Sequence, residues 1–223
     1  MFTVTDAWTA TYPGAVAGFL AIGNVANPQH HPALDQRKDQ LEKQIRARFT
    51  TVEELRALDR LQAYRAYYKR FKKTFHIQMQ LESIAFKGQS IARVAALVEA
   101  LFMAELKNHL LTSGHDLDVV QLPASMDIAA GTERFVRING QEQQLKAGDM
   151  CLRDAQGVIA SVIYGPDERT QIVPGTQRVL FVVHTPPGIG QEAVRQHLQD
   201  IEAYVRLITP EAKTERFQVV GTD

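Results

Sequence analysis

Cysteine is almost absent: Cys151 stands alone among 223 residues. A lone thiol excludes an intramolecular disulfide and any cysteine cage for zinc, and it suits a reducing compartment. An excess of one charge is missing too. Lys plus Arg number 25 and Asp plus Glu 25, so no overall field draws the chain to nucleic acid, and such binding requires a local basic patch. No apolar run reaches the roughly 18 to 20 residues of a membrane-spanning helix. "AVAGFLAIG" (residues 15–23) has the composition of a signal-peptide core, but no basic residue precedes it, Asp6 lies upstream, and Pro13-Gly14 breaks the approach. It reads as a buried strand, and the chain is expected in the cytoplasm. Neither a phosphate-cradling glycine loop nor a dinucleotide fingerprint is present, so no cofactor is indicated. The adjacent His30 and His31 have diverging side chains and no third ligand nearby, so no metal site is read.

What is present is a 45% hydrophobic chain, enough to bury a sizeable core. After the loop "ANPQHHP", Leu34, Leu41, Ile45 and Phe49 recur at helical spacing beside the charged face of "DQRKDQLEKQIR", an amphipathic surface helix. Thr51 with Glu54 forms a capping-box pattern that opens a second helix along Leu55, Leu58, Leu61, Tyr64, Tyr68 and Phe71. "TFHIQMQLESIAFKG" reads as a third, capped by Thr74 and ended by Gly88. Ser90 is placed to cap "IARVAALVEALFMAELKNHL", apolar on nearly every face and therefore the central buried helix. Beyond Asp118 the pattern turns to period two. "RFVRINGQEQQL" and "MCLRDAQGVIASVIYG" read as hairpins through Asn-Gly and "DAQG", and "RVLFVVHT" as a further strand. "QEAVRQHLQDIEAYVRLI" is an amphipathic helix and "RFQVV" a last strand. The expected class is α+β: one domain over residues 1–223, helix-rich over 1–118 and strand-rich over 119–190, with a helix and strand in 191–223.

The order of "YRAYYKRF", "LESIAFKGQSIARVAALVEALFMAEL", "GHDLD" and "GDMCLRDAQGVIASVIYGPDERTQI" resembles the stand-alone relatives of the B3/B4 domain of the phenylalanyl-tRNA synthetase β subunit. In the synthetase that domain hydrolyses wrongly charged tyrosyl-tRNA. The resemblance spans residues 12–190 and implies helices packed around an antiparallel β-sandwich, with a pocket for the 3′ end of an aminoacylated tRNA. "DLD" at Asp116 to Asp118 and the Arg169-Thr170 pair match the family. Its pocket asparagine falls on Phe102 and the following serine on Glu105, so the scaffold carries over further than the reaction.

An aminoacyl ester is already activated, and its hydrolysis needs a held water, oxyanion donors and a group to grip the amine, without a covalent nucleophile. Glu99 and His115 are the catalytic candidates; Phe102, Glu105, Asn108, Asp116 and Arg169 are the substrate-binding ones. Each has a plainer use. Glu99, among apolar neighbours, needs a partner, either a substrate amine or an arginine such as Arg93 or Arg169. Glu105 and Asn108 fit a solvated last helical turn, and Asp116 an Asx turn after Gly114, from which His115 would project. "YGPDERTQ" reads as a turn, with Arg169 either facing the pocket or pairing internally. In "YRAYYKRFKK", Arg65, Lys69, Arg70, Lys72 and Lys73 offer phosphate contacts, whereas Tyr64, Tyr68 and Phe71 fall on the apolar stripe and belong to the core rather than to base stacking. The expected partner is a tRNA acceptor end or a small amino-acid-like ligand, and the function is trans-editing ester hydrolysis or non-catalytic binding. The oligomeric state is not readable.

Overall fold

The computed structural model describes residues 1–221. Its elements in chain order are β1 (Phe2–Val4), α1 (Asp6–Thr11), β2 (Val16–Gly23), α2 (Pro32–Arg48), α3 (Val52–Arg56), α4 (Asp59–Arg70), α5 (His76–Lys87), α6 (Ala96–Asn108), β3 (Leu111–Asp116), β4 (Ala124–Ile128), β5 (Arg134–Val136), β6 (Glu142–Gln144), β7 (Met150–Asp154), β8 (Gly157–Ser161), β9 (Gly165–Pro166), β10 (Arg178–His184), α7 (Gln191–Ile208) and β11 (Lys213–Gly221). A four-stranded antiparallel sheet runs β11-β2-β10-β3, and a five-stranded sheet runs β1-β4-β7-β8-β9. Pairing is antiparallel throughout except between β1 and β4. The class is mixed, with helices packed on antiparallel sheets. Strands are not confined to the later half, however: β1, β2 and β3 all arise before residue 119 and join strands from the far end of the chain.

The alternation of side chains along β2 and β10 assigns their two faces. On one face Gly18 sits so close to α7 that an added Cβ would lie 2.6 Å from Val194 Cγ1. That face carries the helices. On the other, Phe19 stacks on Phe2 of the second sheet with centroids 5.5 Å apart, and His184 Nδ1 lies 3.2 Å from Met126 Sδ. Tyrosines of α4 tie both sheets to the helical layer: the Tyr64 hydroxyl donates to His184 O, Tyr67 to Asp149 and Tyr68 to Val162 O. Burial pushes all three phenols well up from their ordinary pKa.

Several helix ends depart from local expectation. The capping box forms at Thr51 and Glu54, but the helix it opens stops at Arg56 and a separate helix begins at Asp59. Gln62 Nε2 donates to Arg56 O, so a side chain takes the carbonyl at which α3 ends. Thr74 is exposed and caps nothing; the N-cap of α5 is Phe75, without a side-chain bond, although Gly88 ends the helix in the left-handed region as expected. Ser90 is likewise no cap, because α6 starts only at Ala96 and Ser90 Oγ donates to Glu42. The start of α6 is satisfied from afar: Asn27 Oδ1 accepts from Leu97 N, and Pro28 O from Ala96 N. Buried backbone donors need partners from somewhere, and a remote loop supplies them here.

Candidate functional site

Strand β3 is the edge of its sheet, and its geometry creates the site. In an antiparallel edge strand, alternate residues direct their N–H and C=O away from the neighbouring strand. Thr112 N donates to Glu105 Oε1 at 2.8 Å and Asp116 N to Thr170 O at 2.7 Å, so the even-numbered residues point outward. Gly114 lies between them and points the same way. A cavity of about 510 Å³ opens beside it, within the range of small-ligand sites. Its walls are α6 (Val98, Leu101, Phe102, Glu105), β3 (Leu111 to Gly114), the β8–β9 turn and the loop before β10. The lining is mostly apolar, and Glu105, Ser113, Ser161 and His184 bring polar groups to it.

The α6–β3 connection sets the position of Glu105. His109 caps α6 in the left-handed region at φ +59, uncommon for a residue other than glycine. The chain reverses within two residues, which brings Thr112 N back over the last helical turn and onto Glu105. Only 2% of Glu105 is exposed, and burial raises its pKa to about 8. The acid is therefore mostly neutral near pH 7 and can donate a hydrogen bond; it is not the solvated last-turn charge that helix position alone suggests.

Facing it, Ser113 Oγ lies 2.8 Å from His184 Nε2 and 2.9 Å from His115 Nε2. His115 Nδ1 lies 2.7 Å from Thr170 Oγ1, which donates to Asp167 Oδ1. Burial lowers both imidazoles to about 3, so they are neutral. A third buried acid, Asp149, is raised to about 6 by burial although Ser161 and Tyr67 donate to it.

Of the residues singled out from sequence, Phe102 and Glu105 line the cavity. His115 does not project from a turn: it lies on β3, wholly buried, one hydrogen bond behind Ser113. Glu99 is in the first turn of α6, but its partner is neither Arg93 nor Arg169. Lys38 Nζ sits 2.6 Å from Glu99 Oε2, with both side chains almost fully buried. Asn108 faces α7, donating to Asp200 at 2.8 Å, away from the cavity. Asp116 accepts from Asp118 N and Thr176 Oγ1, the Asx-turn use. Arg169 pairs with Asp154 at 2.8 Å and lies 3.7 Å from Asp167, so it holds the far end of the His115 chain rather than the cavity wall.

The basic residues Arg65, Lys69, Arg70, Lys72 and Lys73 are all exposed, and Tyr64, Tyr68 and Phe71 are buried in the core. Arg65, Lys69 and Lys73 line a groove with Thr74 and Phe75, and the next residue, His76, lines the cavity. Arg70 lies over the Tyr12 ring at 5.1 Å and Lys73 over Tyr164 at 5.1 Å. Among the described residues no group of three His, Cys, Asp or Glu is placed to hold a metal, and no helix is long and apolar enough to cross a membrane.

Sequence reasoning missed Ser113 and His184, and it did not connect Thr170 and Asp167 of the late turn with His115. The available signal was the period-two spacing of Leu111, Ser113 and His115 in "LLTSGHD", obscured by the apolar helix before it.

The fold has a solved neighbour. The chain is similar to an N-terminal fragment of the phenylalanyl-tRNA synthetase β-subunit from Pyrococcus horikoshii, with a TM-score of 0.51 and 12% sequence identity over 98% of this chain and 50% of that one. The chain thus spans half the length of that fragment, and the likeness is one of fold. No family model matches the sequence, and no curated protein matches it.

Proposed function

We propose that the cavity receives the aminoacyl end of a charged tRNA and that the chain hydrolyses the ester. One observation carries this reading: a mostly apolar cavity of about 510 Å³, lined by Glu105, Ser113 and His184 among others, sits in a fold shared with a tRNA synthetase fragment. A basic groove is walled by Lys73, Thr74 and Phe75, the residues next in sequence to His76 of the cavity wall. A polyanion neutralised along Arg65, Lys69, Arg70, Lys72 and Lys73 would present its end at the cavity mouth. Because Glu105 is neutral at pH 7, it would donate to the substrate rather than attract its ammonium group.

A second reading is favoured by the apolar enclosure formed by Leu101, Phe102, Ile138 and Ile172. It makes the cavity a non-catalytic site for an amino acid or similar metabolite. The two separate in one assay: a panel of misacylated tRNAs, including tyrosyl-tRNA-Phe, incubated with wild type, Phe102→Ala and Glu105→Gln beside a mock-purified control. Deacylation above control that changes in the variants supports the enzyme. Absence of turnover, together with salt-insensitive thermal stabilisation by free amino acids, selects the binding module.

A further inference from the structure

We infer that Ser113 is a nucleophile activated through His115, Thr170 and Asp167, and that the cavity hydrolyses acyl esters through a Ser113 acyl-enzyme. This rests on the reading that the cavity takes an acyl group, and it adds a covalent step that the ester's own reactivity does not require.

The donors and acceptors can be counted. With Asp167 ionised, the carboxylate only accepts, so Thr170 Oγ1 must donate to it. Thr170 Oγ1 then accepts from His115 Nδ1–H, which leaves Nε2 as the acceptor for the Ser113 hydroxyl. Ser113 Oγ in turn accepts from His184 Nε2–H. In this arrangement the protons of Ser113, His115 and Thr170 all point toward Asp167, and His184 Nδ1 faces Met126 Sδ without a proton. Burial raises the Asp167 pKa, Thr170 N at 3.1 Å and Arg169 at 3.7 Å offset that only in part, and the wire runs in this direction once the carboxylate is ionised. The wire is buried, and Ser113 at its near end is among the residues that line the cavity. An oxyanion donor lies next along the chain. Gly114 directs its N–H away from β10, toward the cavity, and among the described residues nothing accepts it.

The reaction balances without an outside base. Ser113 Oγ attacks the acyl carbon while its proton passes to His115 Nε2, the Nδ1 proton to Thr170 and the Thr170 proton to Asp167. The carbonyl electron pair moves to oxygen, facing Gly114 N–H. Collapse breaks the ester C–O bond, and the departing alcohol takes the proton back along the same path. Water then attacks the Ser113 ester in the same way, releasing the carboxylic acid and restoring the hydroxyl. His115 changes tautomer and never becomes a free imidazolium, in keeping with its deep burial. Ser113 and His115, whose Nε2 touches the attacking oxygen, are the catalytic residues; Thr170 and Asp167 act through His115.

The test is labelling of the purified protein with a fluorophosphonate, read by intact mass and peptide mapping, alongside hydrolysis of p-nitrophenyl butyrate. The expected result is one adduct on Ser113, none in Ser113→Ala, and labelling slowed by about 10²-fold or more in Thr170→Val and Asp167→Asn. Asp167→Asn is also expected to alter the pH dependence of labelling, which a merely structural loss would leave unmoved; folding of each variant is checked by thermal melt. Labelling without tRNA turnover upholds the nucleophile and removes the tRNA reading. tRNA turnover that survives in Ser113→Ala, with no adduct on the wild type, overturns the nucleophile and leaves the tRNA reading standing. Neither adduct nor turnover overturns both.

Discussion

Replacing Glu105 by glutamine is expected to raise stability relative to wild type, and the gain should grow with pH. The folded-state pKa is raised to about 8 from an ordinary 4.5. Between those values the unfolded chain has lost the proton and the folded chain keeps it, so wild type loses stability as pH rises, by about 1.4 kcal/mol per pH unit. Across the whole window the loss is about 5 kcal/mol, and above pH about 8 it levels off. Glutamine keeps an acceptor for Thr112 N and a donor in place of the acid O–H, but carries no titrating group. Other titrations are common to both proteins and cancel in the difference. Denaturant unfolding of both at pH 5, 6.5 and 8.5 measures the gap directly. A difference that stays flat across this range would refute the argument, showing that water or a mobile cation reaches Glu105.

The buried Lys38–Glu99 pair gives a second expectation. Removing one partner, as in Lys38→Met, leaves an uncompensated buried charge and should destabilise by about 3 to 5 kcal/mol, whereas Lys38→Met with Glu99→Leu should recover most of that loss; a double-mutant cycle in urea checks it. The basic segment gives a third. Arg70→Ala, Lys72→Ala and Lys73→Ala together should weaken RNA binding and flatten its salt dependence by about two units of slope, measured by filter binding over a salt series. Unchanged affinity and slope would remove that segment from the site.

Much of the fold was legible because its signals are local. The continuous apolar run around Phe19, the stripe of Leu34 and Leu41, the turns at Asn139-Gly140 and Gln156-Gly157, and the face of Val194, Leu198 and Ile201 are each satisfied within a few residues. Where the sequence misled, a remote partner decided the outcome. Ala95 can begin a helix only because Asn27 and Pro28 supply the caps. Glu99 was recognisable as a carboxylate needing a partner, but Lys38 carries no local mark distinguishing it from the other charges on α2. The candidate site was legible at Phe102 and Glu105, which share the face of α6 toward the cavity. Ser113 and His115 were hidden because a short strand between an apolar helix and an Asx turn shows too few alternations to outweigh its neighbours.

The even-numbered residues of β3 reach outward as though a fifth strand were to follow, yet only Glu105 and the Thr170 loop meet them, at either end. The cavity is the room that absent strand would occupy. Its existence therefore depends on backbone left unmatched, and packing and ligand capacity pull in opposite directions. Changes that fill the gap, such as larger side chains at Ser113 or along Leu101 and Ile172, would be favoured by any selection for rigidity alone.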